Sequence, residues 1–80
     1  MDKDLARHVA TTAFRSAVQL SDMIPLLKQH CDEAELKTFV KAIATANATI
    51  HIEIGNRIYA AYPELEQELE NSIQKYGKLI

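Results

Sequence analysis

One run of apolar residues constrains the fold of this chain more than any other feature. Between residues 36 and 61 these positions recur at alternating steps of three and four residues, which places them on one face of an α-helix. The run consists of Leu36, Phe39, Val40, Ile43, Ala46, Asn47, Ile50, Ile54, Ile58 and Ala61, with Asn47 as its polar member. The spacing predicts a long amphipathic helix over residues 33–61.

Capping signals set the start of this helix and delimit a helix on either side of it. Asp32 followed by Glu35 has the spacing of a capping box, which predicts a helix start at residue 33. Acidic residues near the N-terminus predict a first helix over residues 3–30. Pro63 suits a first helical position, and Lys75, Gly77 and Lys78 mark the far end of a third helix over residues 63–76.

Pro25 interrupts the apolar face of the first helix. Proline has no backbone N–H and crowds the preceding turn, so we expect a kink or a restart near residues 21–25. Ser21 is the candidate N-cap of such a restart.

Residues 50–59 also fit a second interpretation. Isoleucines alternate with polar residues from Ile50 to Ile54, and Gly55-Asn56 then precedes Arg57-Ile58-Tyr59, as in a two-residue β-hairpin. Helix is favoured because the apolar spacing continues in phase through Ile58 and an isolated hairpin is marginal in water. Gly55 costs a helix roughly 1 kcal/mol relative to alanine.

The three helices predict an all-α fold in one domain, residues 1–80. The two long helices should form an antiparallel hairpin, and a third helix of about 20 Å can cover only half of it. Both long helices also carry a second apolar face. Burial of the uncovered face by a second copy is the simplest remedy, so we expect a three-helix bundle that dimerises into a larger helical bundle. The sequence leaves open whether the third helix packs on its own hairpin or on the partner's.

Composition argues against several classes of function. A formal net charge of −2 with scattered basic residues offers no surface for nucleic acid. No apolar segment is long enough for a membrane span, and the single cysteine, Cys31, cannot form an internal disulfide. We therefore expect a cytoplasmic protein with no membrane or nucleic-acid partner.

No set of residues has the spacing of a catalytic or cofactor site, which predicts a non-enzymatic protein without cofactors or bound metal. The densest group of possible ligands is His30 with Cys31, Asp32 and Glu33, but adjacent residues rarely chelate one metal. The alternative is a small-ligand or metal site formed at the dimer interface, with His30, Cys31 and His51 as its polar lining.

Asn47 has two possible roles on the core-facing side of its helix. Its amide either fixes the register or number of the packed helices, as single asparagines do in coiled coils, or lies hydrated at the rim.

The sequence therefore predicts an interaction protein, a homodimer that also has room for a partner protein. The residues predicted to form its interface are apolar or aromatic positions on both long helices: Phe14, Val18, Met23, Leu27, Phe39, Val40, Ile52 and Tyr59.

Overall fold

The computed structural model describes residues 1–77, and Lys78 lies outside them. The described chain is helical, without a strand in residues 1–77. Helix α1 spans Lys3–His30, α2 spans Glu33–Thr49, a π-helical turn spans Ile50–Gly55, α3 spans Asn56–Ala61 and α4 spans Pro63–Tyr76. Because α2, the π-helical turn and α3 follow one another without a gap, they form one continuous helix, called here the 33–61 helix. The all-α prediction is confirmed.

Side-chain caps begin both long helices. Asp2 accepts a hydrogen bond from the Leu5 amide, and Asp32 accepts one from the Glu35 amide, each at 2.8 Å. These bonds satisfy donors that a helix N-terminus leaves without an intrahelical partner. Helix α4 begins with Pro63 and ends at Gly77, whose φ of 71° is left-handed.

Helix α1 continues through Pro25, so of the two expected outcomes, a kink or a restart, the restart with Ser21 as its N-cap is wrong. Proline removes a single hydrogen bond, the one to the carbonyl of Ser21, and the surrounding turns keep theirs. The Ser21 hydroxyl instead accepts a hydrogen bond from Asn47 at 2.9 Å.

The β-hairpin alternative for residues 50–59 is also wrong, because this stretch is helical. The turn is wider than an α-helical one, since the Asn56 amide donates to the His51 carbonyl five residues earlier. The wide turn coincides with Ile50, Ile52, Ile54 and Gly55, all weaker helix formers than alanine or leucine. Helix survives there because Ile58, in phase with the preceding apolar face, is buried.

Contacts of α1 with the 33–61 helix and with α4 show how these helices lie relative to one another. The start of α1 meets the end of the 33–61 helix, since the Tyr62 hydroxyl donates to the Met1 carbonyl, and further along Ala17 meets Asn47. Contacts with α4 run in the same order on both helices, from Lys3–Glu64 to Arg7–Glu68. The two ion pairs are four residues apart on each helix, so α4 lies alongside the first part of α1 and runs in the same direction.

The buried core is small and lies at one end of the molecule. It consists of Ala6, Ala10, Ile58 and Leu65, with Val9, Tyr59 and Tyr62 packed against it. Ile43 is buried separately, nearer the other end. The Cα trace measures 45 × 26 × 15 Å. Helix α4 is about 21 Å long at 1.5 Å per residue, so it reaches only half of that length.

Candidate interaction surface

The side of the molecule that carries a groove between α1 and the π-helical turn is here called the groove face. On α1 it follows a seam at steps of three or four residues, and on the 33–61 helix it follows a seam at steps of four or seven residues. The seams are Val9, Thr12, Ser16, Leu20, Met23 and Leu27 on α1, and Phe39, Ala46, Ile50 and Ile54 on the 33–61 helix. None of these side chains carries a charge.

The groove itself lies near the core end of this face and measures about 430 Å³. Its walls are Val9 and Ala13 from α1 and Ile50 and Ile54 from the π-helical turn, with the polar residues His8, Thr12 and Ser16 along its edge. Ile54 is 39% exposed although it lines a concave surface. The groove is thus an apolar depression open to solvent.

The rest of the groove face has large exposed apolar side chains. Phe39 is 49% exposed and Met23 is 43% exposed, and both lie on the part of the molecule that α4 does not reach. Between Phe39 and the groove lies the small residue Ala46 on the 33–61 helix, whereas Leu20 of α1 lies between Met23 and the groove. On the 33–61 helix the face therefore has a bulky side chain at one end, a depression at the other and a small residue between them.

A smaller cleft of about 190 Å³ lies on the opposite side of the α1 contact, beside the same π-helical turn. Phe14, Ile50, His51 and Tyr59 supply its larger side chains, and Asn47 also lines it. Burial raises the pKa of the Tyr59 hydroxyl, and Glu66 and Glu70 raise it further. The phenol is therefore neutral at neutral pH, and Tyr59 acts through packing.

Asn47 joins the two long helices at this cleft. Its side-chain nitrogen donates to the Ala17 carbonyl at 3.3 Å and to the Ser21 hydroxyl at 2.9 Å. Its oxygen is buried and has no hydrogen-bond donor among residues 1–77. These contacts favour a role in helix register over a hydrated position at the rim, because the amide bonds to two residues one turn apart on α1.

Ion pairs hold α4 against α1. Arg7 donates to both carboxylate oxygens of Glu68, at 2.9 and 3.2 Å, and Lys3 pairs with Glu64 at 3.2 Å. Hydrogen bonding and charge from Arg7 lower the pKa of Glu68 below its usual 4.5, and Glu68 raises the pKa of Arg7. Arg7 and Glu68 also line a third cleft, about 210 Å³, between these helices.

The residues considered for a metal or ligand site do not come together within one chain. His30 ends α1 and Cys31, a free and half-buried thiol, follows it. His51 lies twenty residues beyond Cys31 along a helix, a separation of about 30 Å. No group of three His, Cys, Asp or Glu side chains within residues 1–77 is placed to hold a metal ion.

The residues predicted as an interface fall on different sides of the molecule. Met23, Leu27 and Phe39 lie on the groove face. Phe14 and Tyr59 are partly buried and line the smaller cleft, and Val40 is placed toward that side because it precedes Asn47 by two helical turns. Val18 is 42% exposed on the far side of α1, and Ile52 is 54% exposed.

Sequence reasoning missed the groove, whose walls include Val9, Ala13 and Ile54. The available signal was Gly55 after a β-branched run, which was read only as a competing hairpin and not as a wide helical turn.

No known protein family, curated protein or solved structure matches this chain. Within residues 1–77, every helix is too short or too polar to cross a lipid bilayer.

Proposed function

We propose that this chain is a non-enzymatic interaction protein that acts as a homodimer. The observation that carries the proposal is the excess of exposed surface. The accessible surface of the chain is 5835 Å², whereas a folded monomer of 9.0 kDa exposes about 4,900 Å². The excess of about 900 Å² is similar to the roughly 800 Å² that each partner contributes to a standard interface.

The small core supports the same proposal. The buried hydrophobic residues of the described chain are Ala6, Ala10, Ile43, Ile58 and Leu65, so two of them are alanines that bury little area. Domains of this size gain only about 3–5 kcal/mol from one core and commonly need further support. A second copy on the groove face supplies it by covering Met23, Leu27 and Phe39.

In this proposal α1 and the 33–61 helix form an antiparallel hairpin. Helix α4 packs on the hairpin of its own chain through the Arg7–Glu68 ion pair. Two such hairpins, one from each subunit, form a larger helical bundle. A partner protein then has the opposite side of the molecule, around Val18, for its contact. The cytoplasmic location stays a prediction from the single cysteine, Cys31.

Hydrodynamic mass tests the proposal. Sedimentation velocity at micromolar concentration should give twice 9.0 kDa for the wild-type chain. Phe39→Lys should shift the protein to the monomer, because it places a charge on the groove face four residues after Glu35 without harming the helix.

Val18→Lys is the matched control, since Val18 is similarly exposed and lies on the far side of α1. Its mass should remain that of the dimer. A wild-type monomer at high micromolar concentration would refute the dimer, and dissociation by Val18→Lys alone would move the interface to the opposite side.

A further inference from the structure

We infer that the groove face docks on the groove face of a second copy, with Phe39 of the partner subunit seated in the groove between Val9, Ala13, Ile50 and Ile54. This inference rests on the proposed function, because it needs a dimer. It adds the geometry of the contact and names the side chain that anchors it.

The first argument is the match between the bulky side chain and the depression. Phe39 presents a half-exposed aromatic ring one helical turn after Glu35, on a mostly apolar face. The groove of about 430 Å³ is larger than the roughly 150 Å³ cavity that holds benzene in an engineered protein core. Buried aromatic side chains in apolar pockets are the usual energetic centres of interfaces.

The second argument is position along the helix. Phe39 and the centre of the groove, between Ile50 and Ile54, are about 20 Å apart at 1.5 Å per residue. Ala46 lies midway between them. A two-fold axis that lies in the interface and crosses the helices at Ala46 therefore brings Phe39 of each subunit over the groove of the other, as an isologous contact requires.

The third argument is the small side chain of Ala46 between Phe39 and the groove. Asn47 contacts Ala17, so Ser16 and Leu20 of α1 flank the level of the proposed axis. Ala46 lets the two copies of the 33–61 helix approach closely, with bulky residues on either side to fill the remaining space. The same axis places α1 of one subunit against α1 of the other, and the two copies of the 33–61 helix against each other. The helices of each pair are antiparallel.

Substitutions on the two halves of the contact should complement each other. Phe39→Ala removes the inserted ring, and Thr12→Phe fills the groove from its exposed edge. Each variant alone should weaken the homodimer by about tenfold or more, because both copies of the contact are lost. In a mixture, the intact Phe39 of the Thr12→Phe chain meets the open groove of the Phe39→Ala chain, so the heterodimer should predominate.

Native mass spectrometry of the mixture distinguishes the species by mass, and circular dichroism verifies that each variant is helical. If the wild-type chain is a monomer, the proposed function and this contact both fail. If the wild type dimerises but the variants do so as tightly, or mix in statistical proportions, the dimer stands and the docking of Phe39 in the groove is refuted.

Discussion

The side-chain amide of Asn47 donates a hydrogen bond to the Ser21 hydroxyl at 2.9 Å, while the oxygen of the same amide lies buried without a donor among residues 1–77. The bond connects the middle of the 33–61 helix to α1. The unsatisfied oxygen has a cost, because a buried acceptor without a partner loses about 1–3 kcal/mol of hydration. Asn47 therefore connects the two helices at the cost of one buried acceptor without a partner.

Replacing this amide by a side chain of similar size should stabilise the chain. Asn47→Leu removes the unsatisfied oxygen and adds apolar area, and we expect it to raise the free energy of unfolding by about 1 kcal/mol. Urea denaturation at one fixed protein concentration measures the change, since the midpoint of a dimer depends on concentration.

Ser21→Ala is the control for the donated bond, and it should lower the free energy of unfolding by less than about 1 kcal/mol. If Asn47→Leu instead destabilises the chain by more than that, the donated bonds outweigh the cost of the buried oxygen.

Gly55→Ala should also stabilise the chain. Gly55 has helical backbone angles, φ −58° and ψ −54°, and an added Cβ would meet Tyr59 at 3.7 Å and His51 at 3.8 Å, which are ordinary contacts. Alanine is favoured over glycine in such a helix by about 0.5–1 kcal/mol. The melting temperature should therefore rise by several degrees, since 1 kcal/mol corresponds to about 4–8 °C for a domain of this size.

Gly77→Ala is the matched control, and its effect on stability should have the opposite sign. Gly77 has a φ of 71°, so alanine there is strained and should destabilise the end of α4. A loss of stability in Gly55→Ala would show that the π-helical turn needs glycine for a reason other than space.

The ion pair between Arg7 and Glu68 should make stability depend on acid pH. The pKa of Glu68 is lower in the folded chain than its usual 4.5, so the pair contributes fully above that pH. The contribution is lost as the pH falls from about 4.5 through the folded pKa, because the carboxylate takes up a proton.

The difference in melting temperature between wild type and Glu68→Gln should therefore be present at pH 7 and vanish near the acid limit of folding. Glu66→Gln is the control on the same helix, since Glu66 forms no ion pair among residues 1–77. Salt should reduce the effect, because the pair is half exposed. An equal difference at every pH would exclude the ion pair as its source.

The helices were predictable from the sequence because periodicity and capping are local. Asp32 with Glu35 indicated the start of the 33–61 helix, and Asp32 does accept the Glu35 amide. Ile58 continued the apolar phase and is buried. Each of these signals depends on residues within a few turns of one another.

The groove could not be predicted in the same way, because its walls come from distant parts of the chain. Val9 and Ile54 face each other only once α1 and the 33–61 helix take their mutual position. The π-helical turn supplies Ile50 and Ile54 to the groove, and the apolar spacing does not reveal that turn. The predicted interface residues follow from helical spacing, which does not show that Val18 and Met23 lie on opposite sides of α1.

Pro25 is the remaining feature that local rules did not settle, and it gives the last prediction. Its ring lies inside α1, where proline costs about 3 kcal/mol relative to alanine. Pro25→Ala restores an amide that can donate to the Ser21 carbonyl, although it also gives the unfolded chain more freedom, worth up to about 1 kcal/mol. The free energy of unfolding should therefore rise by about 2 kcal/mol. Urea denaturation measures it, with Glu33→Pro at the first position of α2 as a control that should cost much less than an interior proline. An unchanged or lower stability in Pro25→Ala would mean that the proline ring itself packs against a surface that the alanine cannot replace.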